Sequence, residues 1–552
     1  MNIGVAQEMI ADAFPDRDAI VQGDRHISYP KLTERTRRLA NFLLSRGLTV
    51  RTERPELEGW ESGQDHLAIC MLNSPEYLET LLGAYKARVM PFNVNYRYTG
   101  EELLYLFRDA RPKAIFYQAR FGPLMAEILP ELDFVELLVC VDDGTGTAAV
   151  PGALDYETVL AESSADAPAV EVSSDDLYCM FTGGTTGMPK GVLWRQADCI
   201  AANLDGRRRD GSPMQDPAEL VVRARRRSHK VVLPAPPFMH GAGCQTALSA
   251  FCTGNTVVIP EITDHVDHND VVRTIQRHQV NMMLIIGDAF GRPLLAAARA
   301  HGQPLDSITA IYNSGAMLSP DVKSGLLEMM PNAQLIDALG ASETGPQAMQ
   351  VSKAGQTDIA ETEARFRLSG DAAVLSADMK GELEPGHEGF GWLAKRGTVP
   401  LGYLGDPEKT AKTFPMIGDV RLVVPGDRVR LLADGVLEFH GRESFTINSG
   451  GEKIFAEEVE RALRHHPAVD DVVVAGRPSS QWGQEVVAII QTALPDDAAH
   501  QSGLPQALLA EAGRHIARYK LPKAFLFVDL VQRTPSGKTD IVWARKMVGG
   551  AR

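Results

Sequence analysis

Thr182-Gly183-Gly184-Thr185-Thr186-Gly187-Met188-Pro189-Lys190-Gly191 follows directly on the apolar run Leu177–Phe181. That run reads as a buried strand. The glycines let the backbone turn tightly and bring N–H groups close to a ligand. Threonine hydroxyls and the Lys190 ammonium complete a donor set suited to a polyphosphate. The stretch is not a Walker A loop, because G-K-[ST] is missing. A glycine turn without a ligand is the plain alternative, and the concentration of donors behind a buried strand weighs against it.

Outward from this loop, strand-like apolar runs alternate with helix-like patterns. His66–Met71 reads as a strand, Pro75–Ala87 as a helix and Val89–Val94 as a strand again. Further strands are expected at Lys230–Pro234, Thr256–Pro260, Val280–Ile286 and Ile308–Asn313, with helical stretches between several of them. This alternation implies β-α-β units and mostly parallel sheets. Ligands of such sheets bind in loops beyond the carboxyl ends of strands, so motifs that follow strands matter most. Arg51–Gln64 and Asp142–Pro168, rich in Gly, Pro, Ala and acidic residues, read as surface loops. Past residue 441 the texture changes. A helix at Ala456–His465, strands at Val469–Ala475 and Glu485–Gln491, a helix near Pro505–Ile516 and a strand at Lys523–Val528 suffice for a small α+β domain. The expected fold class is α/β. A large N-terminal domain, 1–441, of mostly parallel sheets flanked by helices is followed by a small α+β C-terminal domain, 442–552.

Composition agrees with a globular chain of more than one domain. Its 552 residues are 44% hydrophobic and 23% charged, which excludes a disordered chain. Lys and Arg number 56 against 71 Asp and Glu, a net charge of −15. An acidic balance argues against a general nucleic-acid binder, but not against anionic small molecules, which loops and helix ends hold locally. The basic runs Arg207–Arg209 and Arg223–Arg227 read as solvated loop charge. The six cysteines contain no C-x-x-C pair and read as buried, reduced thiols of a cytoplasmic protein. Met1–Glu8 has neither a basic nor an apolar targeting region, so no signal peptide is expected. No apolar run reaches the ~18 residues of a membrane span.

Several later stretches carry chemistry. Pro236-Pro237-Phe238-Met239-His240-Gly241 holds a lone His beside an apolar helix, which by itself reads as structural. Asn313-Ser314-Gly315-Ala316 follows a strand. Leu339-Gly340-Ala341-Ser342-Glu343-Thr344-Gly345 offers hydroxyls for phosphate and a carboxylate for Mg²⁺. Asp427, in Pro425-Gly426-Asp427, lies 15 residues before Arg442, while the similar Asp419 lies 23 before it. A carboxylate can accept from both hydroxyls of a vicinal diol. Ser449-Gly450-Gly451-Glu452-Lys453-Ile454 could be a plain hairpin turn. Arg533-Thr534-Pro535-Ser536-Gly537-Lys538 places a lysine on a turn.

In this order, and over essentially the whole chain, these motifs resemble those of the adenylate-forming superfamily of acyl-CoA synthetases, luciferases and peptide-synthetase adenylation domains. The resemblance implies that Thr182, Gly183, Gly184, Thr185, Thr186, Gly187 and Lys190 hold the phosphates of ATP. It implies that Ser314, Gly315 and Ala316 meet the adenine, and that Gly340, Ser342 and Thr344 border the nucleotide. Leu339 stands where an aromatic usually packs on the adenine, and Ser342 replaces the usual Thr. Glu343 would bind Mg²⁺, Asp427 both ribose hydroxyls, and Arg442 ribose or phosphate. His240 would lie near the carboxylate being activated, with Gly241 and Gly287 beside it in the acyl pocket. Ser444 takes the hinge position, where Asp or Lys is usual. Ser449, Gly450, Gly451 and Lys453 would line the path of the CoA thiol, and Lys538 would reach the carboxylate and the α-phosphate.

The implied activity is AMP-forming acyl-CoA ligation. An acid and Mg·ATP give acyl-AMP and pyrophosphate, and CoA then displaces AMP. One lysine cannot serve both steps if the thiol must reach the same carbon. The family's solution is a mobile C-terminal domain that exchanges Lys538 for the Gly450 loop. The alternative is a stand-alone adenylation enzyme that passes acyl-AMP to a carrier protein, and a non-catalytic nucleotide sensor stands further off. Gly191-Val192-Leu193-Trp194-Arg195-Gln196, the segment Gly287–Pro293 and INSGGEK resemble the subgroup acting on fatty acids and steroid side-chain acids. That implies a bulky apolar acid, with fatty chain and sterol left open. The expected ligands are the acid, ATP, Mg²⁺ and CoA, with no nucleic acid and with a homodimer left open.

Overall fold

The computed structural model describes residues 1–184, 187–356, 364–442, 446–449, 452–479, 483–516, 518–534 and 537–550. Compactness divides the chain into two units. The first comprises residues 1–363, 369–371 and 395–423. The second comprises residues 364–368, 372–394 and 424–552. The boundary expected at Gly441/Arg442 therefore falls inside the second unit.

The first unit is organised around parallel sheets. One has the order Met90–Asn93, His66–Cys70, Ala114–Gln118, Leu137–Val141, Leu154–Asp155, all parallel. Another has a parallel core of Asp18–Gln22, Thr256–Ile259, Val231–Pro234, Met282–Ile285, Ala310–Ser314 and Gln334–Ala341. Antiparallel strands Arg25–Ser28 and Gly345–Lys353 flank it. Its strands are apolar runs because both faces are covered, as parallel sheets require. Helices Ile3–Ala13, Tyr29–Ser45, Pro75–Lys86 and Gly241–Cys252 contribute to one large core with residues of both sheets. Helix Pro75–Lys86 is buried along its whole length. Ser74 caps it by accepting from the Tyr77 N–H at 3.3 Å, and Pro75 opens it without wasting a donor.

The strand expected before the glycine-rich stretch is present, and Leu177–Gly184 pairs antiparallel with Gly187–Arg195. One expectation changes here. Asp142–Pro168 is not loop throughout. Strand Leu154–Asp155 and helix Tyr156–Glu162 lie within it, the helix capped by Asp155 accepting from the Thr158 N–H at 2.8 Å. Tyr156, Val159 and Leu160 are its buried face. At this length, flanking Gly and Pro outweigh the helical period.

In the second unit a five-stranded sheet combines Glu452–Phe455, Thr446–Ser449, Gly483–Gln491, Asp471–Ser479 and Ala524–Val528. Helices Ala456–Arg464 and Leu504–Ala512 share one core with Val472, Val474, Val486 and Ala488, while helix Ile541–Gly550 joins Val473, Ala475, Val487 and Ile489. Strand alternation thus buries both faces. Helices Asp496–Gln501 and Ile541–Gly550 were not expected from the sequence. Antiparallel strands Asp427–Leu431 and Val436–Arg442 also belong to this unit. All six cysteines are free and buried. Among the described residues no helix is long and apolar enough to cross a membrane.

Candidate active site

Four of the expected motifs gather at one edge of the large parallel sheet. Val231–Pro234, Met282–Ile285, Ala310–Ser314 and Gln334–Ala341 are neighbours in register, with Pro234 beside Leu284, Ile285 beside Asn313 and Ser314 beside Ala338. Their carboxyl ends run into Pro236–Gly241, Gly287, Gly315–Ala316 and Ser342–Thr344 respectively. This is the edge at which open parallel sheets bind ligands.

Asn313 ties two of these loops together. Its Oδ1 accepts from the Gly287 N–H at 2.7 Å, and its Nδ2 donates to Ala316 O at 3.1 Å and to Asp337 Oδ1 at 2.7 Å. Asp337 pairs with Lys323 at 2.7 Å in the interior. Gly287 has φ +51°, and a Cβ there would stand 2.6 Å from Ala316 Cβ and 2.8 Å from Met317 O. Glycine is required by the left-handed backbone and by this approach, so the residue expected in the acyl pocket lies against the segment expected on adenine. Gly241 brings the His240 loop against a different motif. A Cβ there would lie 3.3 Å from Ser342 Oγ and 3.8 Å from Met180 Cγ.

The phosphate hairpin brings Thr182 opposite Lys190. Opposed residues of an antiparallel pair share a face, so the two side chains start from the same side of the hairpin. Thr185 and Thr186 lie outside the described residues. Lys190 Nζ is 3.4 Å from Asp406, the residue that caps helix Pro407–Thr413. Burial alone would lower the Lys190 ammonium, but Asp109, Tyr105 and Asp406 outweigh it and hold it above its usual range. Strand Gly402–Tyr403 pairs with Leu193 and Val192 of the hairpin, and Tyr403 Oη donates to Glu343 Oε1 at 2.8 Å. One short segment thereby holds the cation expected on phosphate and the carboxylate expected on Mg²⁺. Sequence reasoning missed Tyr403, Asp406 and the buried Trp194, whose Nε1 donates to Ser342 O at 3.0 Å. The Gly-Tyr before a helix cap at Asp406 was the available signal.

The turn after Ala341 is self-supporting. Thr344, expected along the nucleotide, is fully buried, and its hydroxyl accepts from the Ala341 N–H at 2.9 Å and donates to Gly345 O at 2.7 Å. Lys395 Nζ donates to Thr344 O at 2.7 Å. Thr344 thus shapes the turn that presents Ser342 and Glu343. Leu339 and Gly340 are half-buried on the strand before it. His240 is half-buried at the N-terminus of helix Gly241–Cys252. The loop before it is fastened from outside: Asn73 accepts from Phe238 N–H at 2.6 Å, and Tyr77 Oη donates to Phe238 O at 3.1 Å.

In the second unit, Asp427 is 1% exposed and is the ladder partner of Arg442, so the two residues expected at the ribose are cross-strand neighbours. Asp419 is exposed, after Gly418 with φ +59°. Ser449 pairs with Glu452 and Asn448 with Lys453, which makes this stretch a hairpin. Gly450, Gly451 and the expected hinge Ser444 lie outside the described residues. Lys538 is exposed on a turn in which its N–H donates to Thr534 Oγ1 at 3.1 Å. Arg533 anchors that turn, its Nε donating to Asp471 at 2.9 Å. Four arginines of the basic runs are ion-paired: Arg207 with Asp371, Arg208 with Glu219, and Arg223 and Arg227 with Asp205.

Residues 8–404 match the family described as AMP-binding enzyme, and residues 458–538 match the AMP-binding enzyme C-terminal domain. The chain is 50% identical over 538 residues to the medium-chain acyl-CoA ligase Mig of Mycobacterium avium, covering 97% of this chain and 96% of that one. It is 36% identical over 559 residues to the 3-oxocholest-4-en-26-oate–CoA ligase of Rhodococcus rhodochrous, covering 100% and 96%. The anthranilate CoA ligase AuaEII with anthranoyl-AMP shares the fold, with a TM-score of 0.80 at 19% identity over 99% of this chain and 97% of that one. Motif order, sheet-edge geometry and both matched regions agree, and the chain belongs to the AMP-binding enzymes of the adenylate-forming superfamily.

Proposed function

We infer that the protein is an AMP-forming acyl-CoA ligase that activates a bulky apolar carboxylic acid. The observation that carries this is the convergence of His240, Gly287, Ser314–Ala316 and Ser342–Glu343 at one sheet edge. The 50% and 36% identical relatives, a medium-chain and a steroid-acid CoA ligase, support the substrate class and the CoA acceptor. They disfavour transfer to a carrier protein. Six buried free thiols suit the reducing cytoplasm.

The acid's carboxylate oxygen attacks the α-phosphorus, and the bond to pyrophosphate breaks. The CoA thiolate then attacks the acyl carbon, and AMP leaves with the bonding pair. No covalent enzyme intermediate is needed, so the protein contributes position and charge. Lys190 and the hairpin amides face the β- and γ-phosphates, Asp427 the ribose, His240 the carboxylate. Among the described residues no three His, Cys, Asp or Glu form a metal cage. Glu343, a half-buried carboxylate oriented by Tyr403, fits Mg²⁺, which binds through one or two carboxylates plus substrate phosphates. When bound, Mg²⁺ neutralises charge on the departing pyrophosphate. Lys538 serves adenylation and the Gly450 loop the thiol, exchanged by rotation near Ser444.

The test is a panel of acids assayed for pyrophosphate release and for CoA-dependent AMP release. Each methylene buried gains ~0.8 kcal/mol before ordering entropy, so dodecanoate or a steroid acid should exceed acetate by several powers of ten in kcat/KM. Acetate turning over as fast as dodecanoate would remove the substrate assignment. AMP release indifferent to CoA would remove the ligase.

A further inference from the structure

Asn93 ends strand Met90–Asn93 of the smaller parallel sheet, and its side chain is 5% exposed. Its Nδ2 donates to Phe181 O at 2.8 Å and to Met239 O at 2.6 Å, while its Oδ1 accepts from the Phe181 N–H at 2.7 Å. Phe181 immediately precedes Thr182 of the phosphate hairpin, and Met239 immediately precedes His240. One amide thus spends both its donors and its acceptor on two backbones that are 58 residues apart in sequence. The loop around His240 already has Asn73 and Tyr77 to hold Phe238, so it does not need Asn93 merely to be ordered. The interatomic bridge to Phe181 is what Asn93 adds. A carboxylate of the same shape could still accept from Phe181 N–H, but it would face both carbonyls without a proton to offer.

We propose that Asn93 is a positioning residue that sets the separation between the phosphate hairpin and the carboxylate loop. The proposal rests on the functional reading above, in which those two segments hold the two reactants of adenylation. Binding ATP needs the hairpin, and binding the acid needs the loop. Bond formation needs both in one geometry, and so does nothing else. Once acyl-AMP exists, its covalent bond fixes that separation without help from the protein.

The experiment compares the wild type with Asn93→Ala and Asn93→Asp. It measures acyl-AMP formation, thioester formation from supplied acyl-AMP and CoA, calorimetric affinity for a non-hydrolysable ATP analogue, and thermal midpoint. Misplaced reactants predict a fall of about 10²-fold in adenylation kcat, with analogue affinity nearly unchanged and the thioester step reduced far less. Combined with His240→Ala, either variant should add little to the loss, because both act through one geometry. Analogue affinity falling as far as kcat, equal loss in both half-reactions, or additive effects with His240→Ala would overturn the proposal. Failure of both variants to fold would assign Asn93 to stability and overturn it too. A wild type that forms no acyl-AMP from any acid would instead remove the functional reading itself.

Discussion

Asp427 and Asp419 each follow a glycine and look alike in sequence, yet the first is buried at the start of a strand and the second is exposed on a hairpin turn. Burial beside Arg442 supports Asp427 as the diol acceptor. Asp427→Ala should raise the KM for ATP about 10-fold or more, since a hydrogen bond to a charged group is worth ~1.5–3 kcal/mol. Asp419→Ala should leave it nearly unchanged, and steady-state kinetics at varied ATP decides between them. Lys538 is exposed on a turn fastened by Thr534 and Arg533. Lys538→Ala should slow acyl-AMP formation by about 10²-fold or more, the cost of losing a preorganised charge stabiliser. It should spare thioester formation from supplied acyl-AMP. Equal losses in single-turnover measurements of the two half-reactions would rule out the exchange of Lys538 for the Gly450 loop.

At the scale of elements, strands carry the chemistry at their ends and glycines decide how closely those ends approach. Gly287 opens helix Gly287–His301 in a left-handed conformation against Ala316 and Met317. Gly287→Ala should therefore destabilise the fold by about 2 kcal/mol or more, from backbone strain plus overpacking. The chemical-denaturation midpoint reads this directly, and an unchanged midpoint would show that the loop yields cheaply. The same element-level view shows where the sequence was legible. The strands at Thr256–Ile259 and Met282–Ile285 are short apolar runs whose period and flanks leave little choice. Helix Tyr156–Glu162 was not legible, because its two turns sit between Gly- and Pro-rich flanks and its stability comes from burying Tyr156, Val159 and Leu160.

Across the whole first unit, helices Ile3–Ala13, Tyr29–Ser45 and Pro75–Lys86 meet at Lys86, which reaches Glu8 at 2.7 Å, Gln7 at 2.9 Å and Thr36 at 2.7 Å. Burial pushes its ammonium down to about 8, against the pull of Glu8. Below pH 8 both states are protonated. From there up to the unfolded value of ~10.4, the unfolded chain keeps a proton that the folded one has lost. Unfolded protein then binds more protons, so this group makes stability rise with pH across that window. Buried thiols act oppositely, since burial pushes Cys70, Cys244 and Cys252 up to about 12. Lys86→Met leaves those thiols in place. The stability difference between pH 10 and pH 8 should therefore be smaller in Lys86→Met than in the wild type, by up to ~1.4 kcal/mol per pH unit. Urea titrations at both pH values check it, and parallel curves would mean that Lys86 is hydrated in solution.

The sequence by itself determined the family, the order of the motifs and the class of fold, because glycine turns, strand periods and motif spacings are local properties that survive without any tertiary contact. The resemblance to the family also favoured Asp427 over Asp419, because its distance from Arg442 fits the family's pattern. Only the tertiary structure decided which residues support those motifs. Asn93, Tyr403, Asp406 and Trp194 act on segments between 60 and 216 residues away. A buried polar side chain in a strand looks like any other until the backbone that satisfies it is known. The hairpin at the phosphate loop, the use of the Thr344 hydroxyl within its own turn and the grouping of Val424–Gly441 with the second unit were likewise decided there. Each depends on which distant surface a segment buries, and burial is set by the fold as a whole.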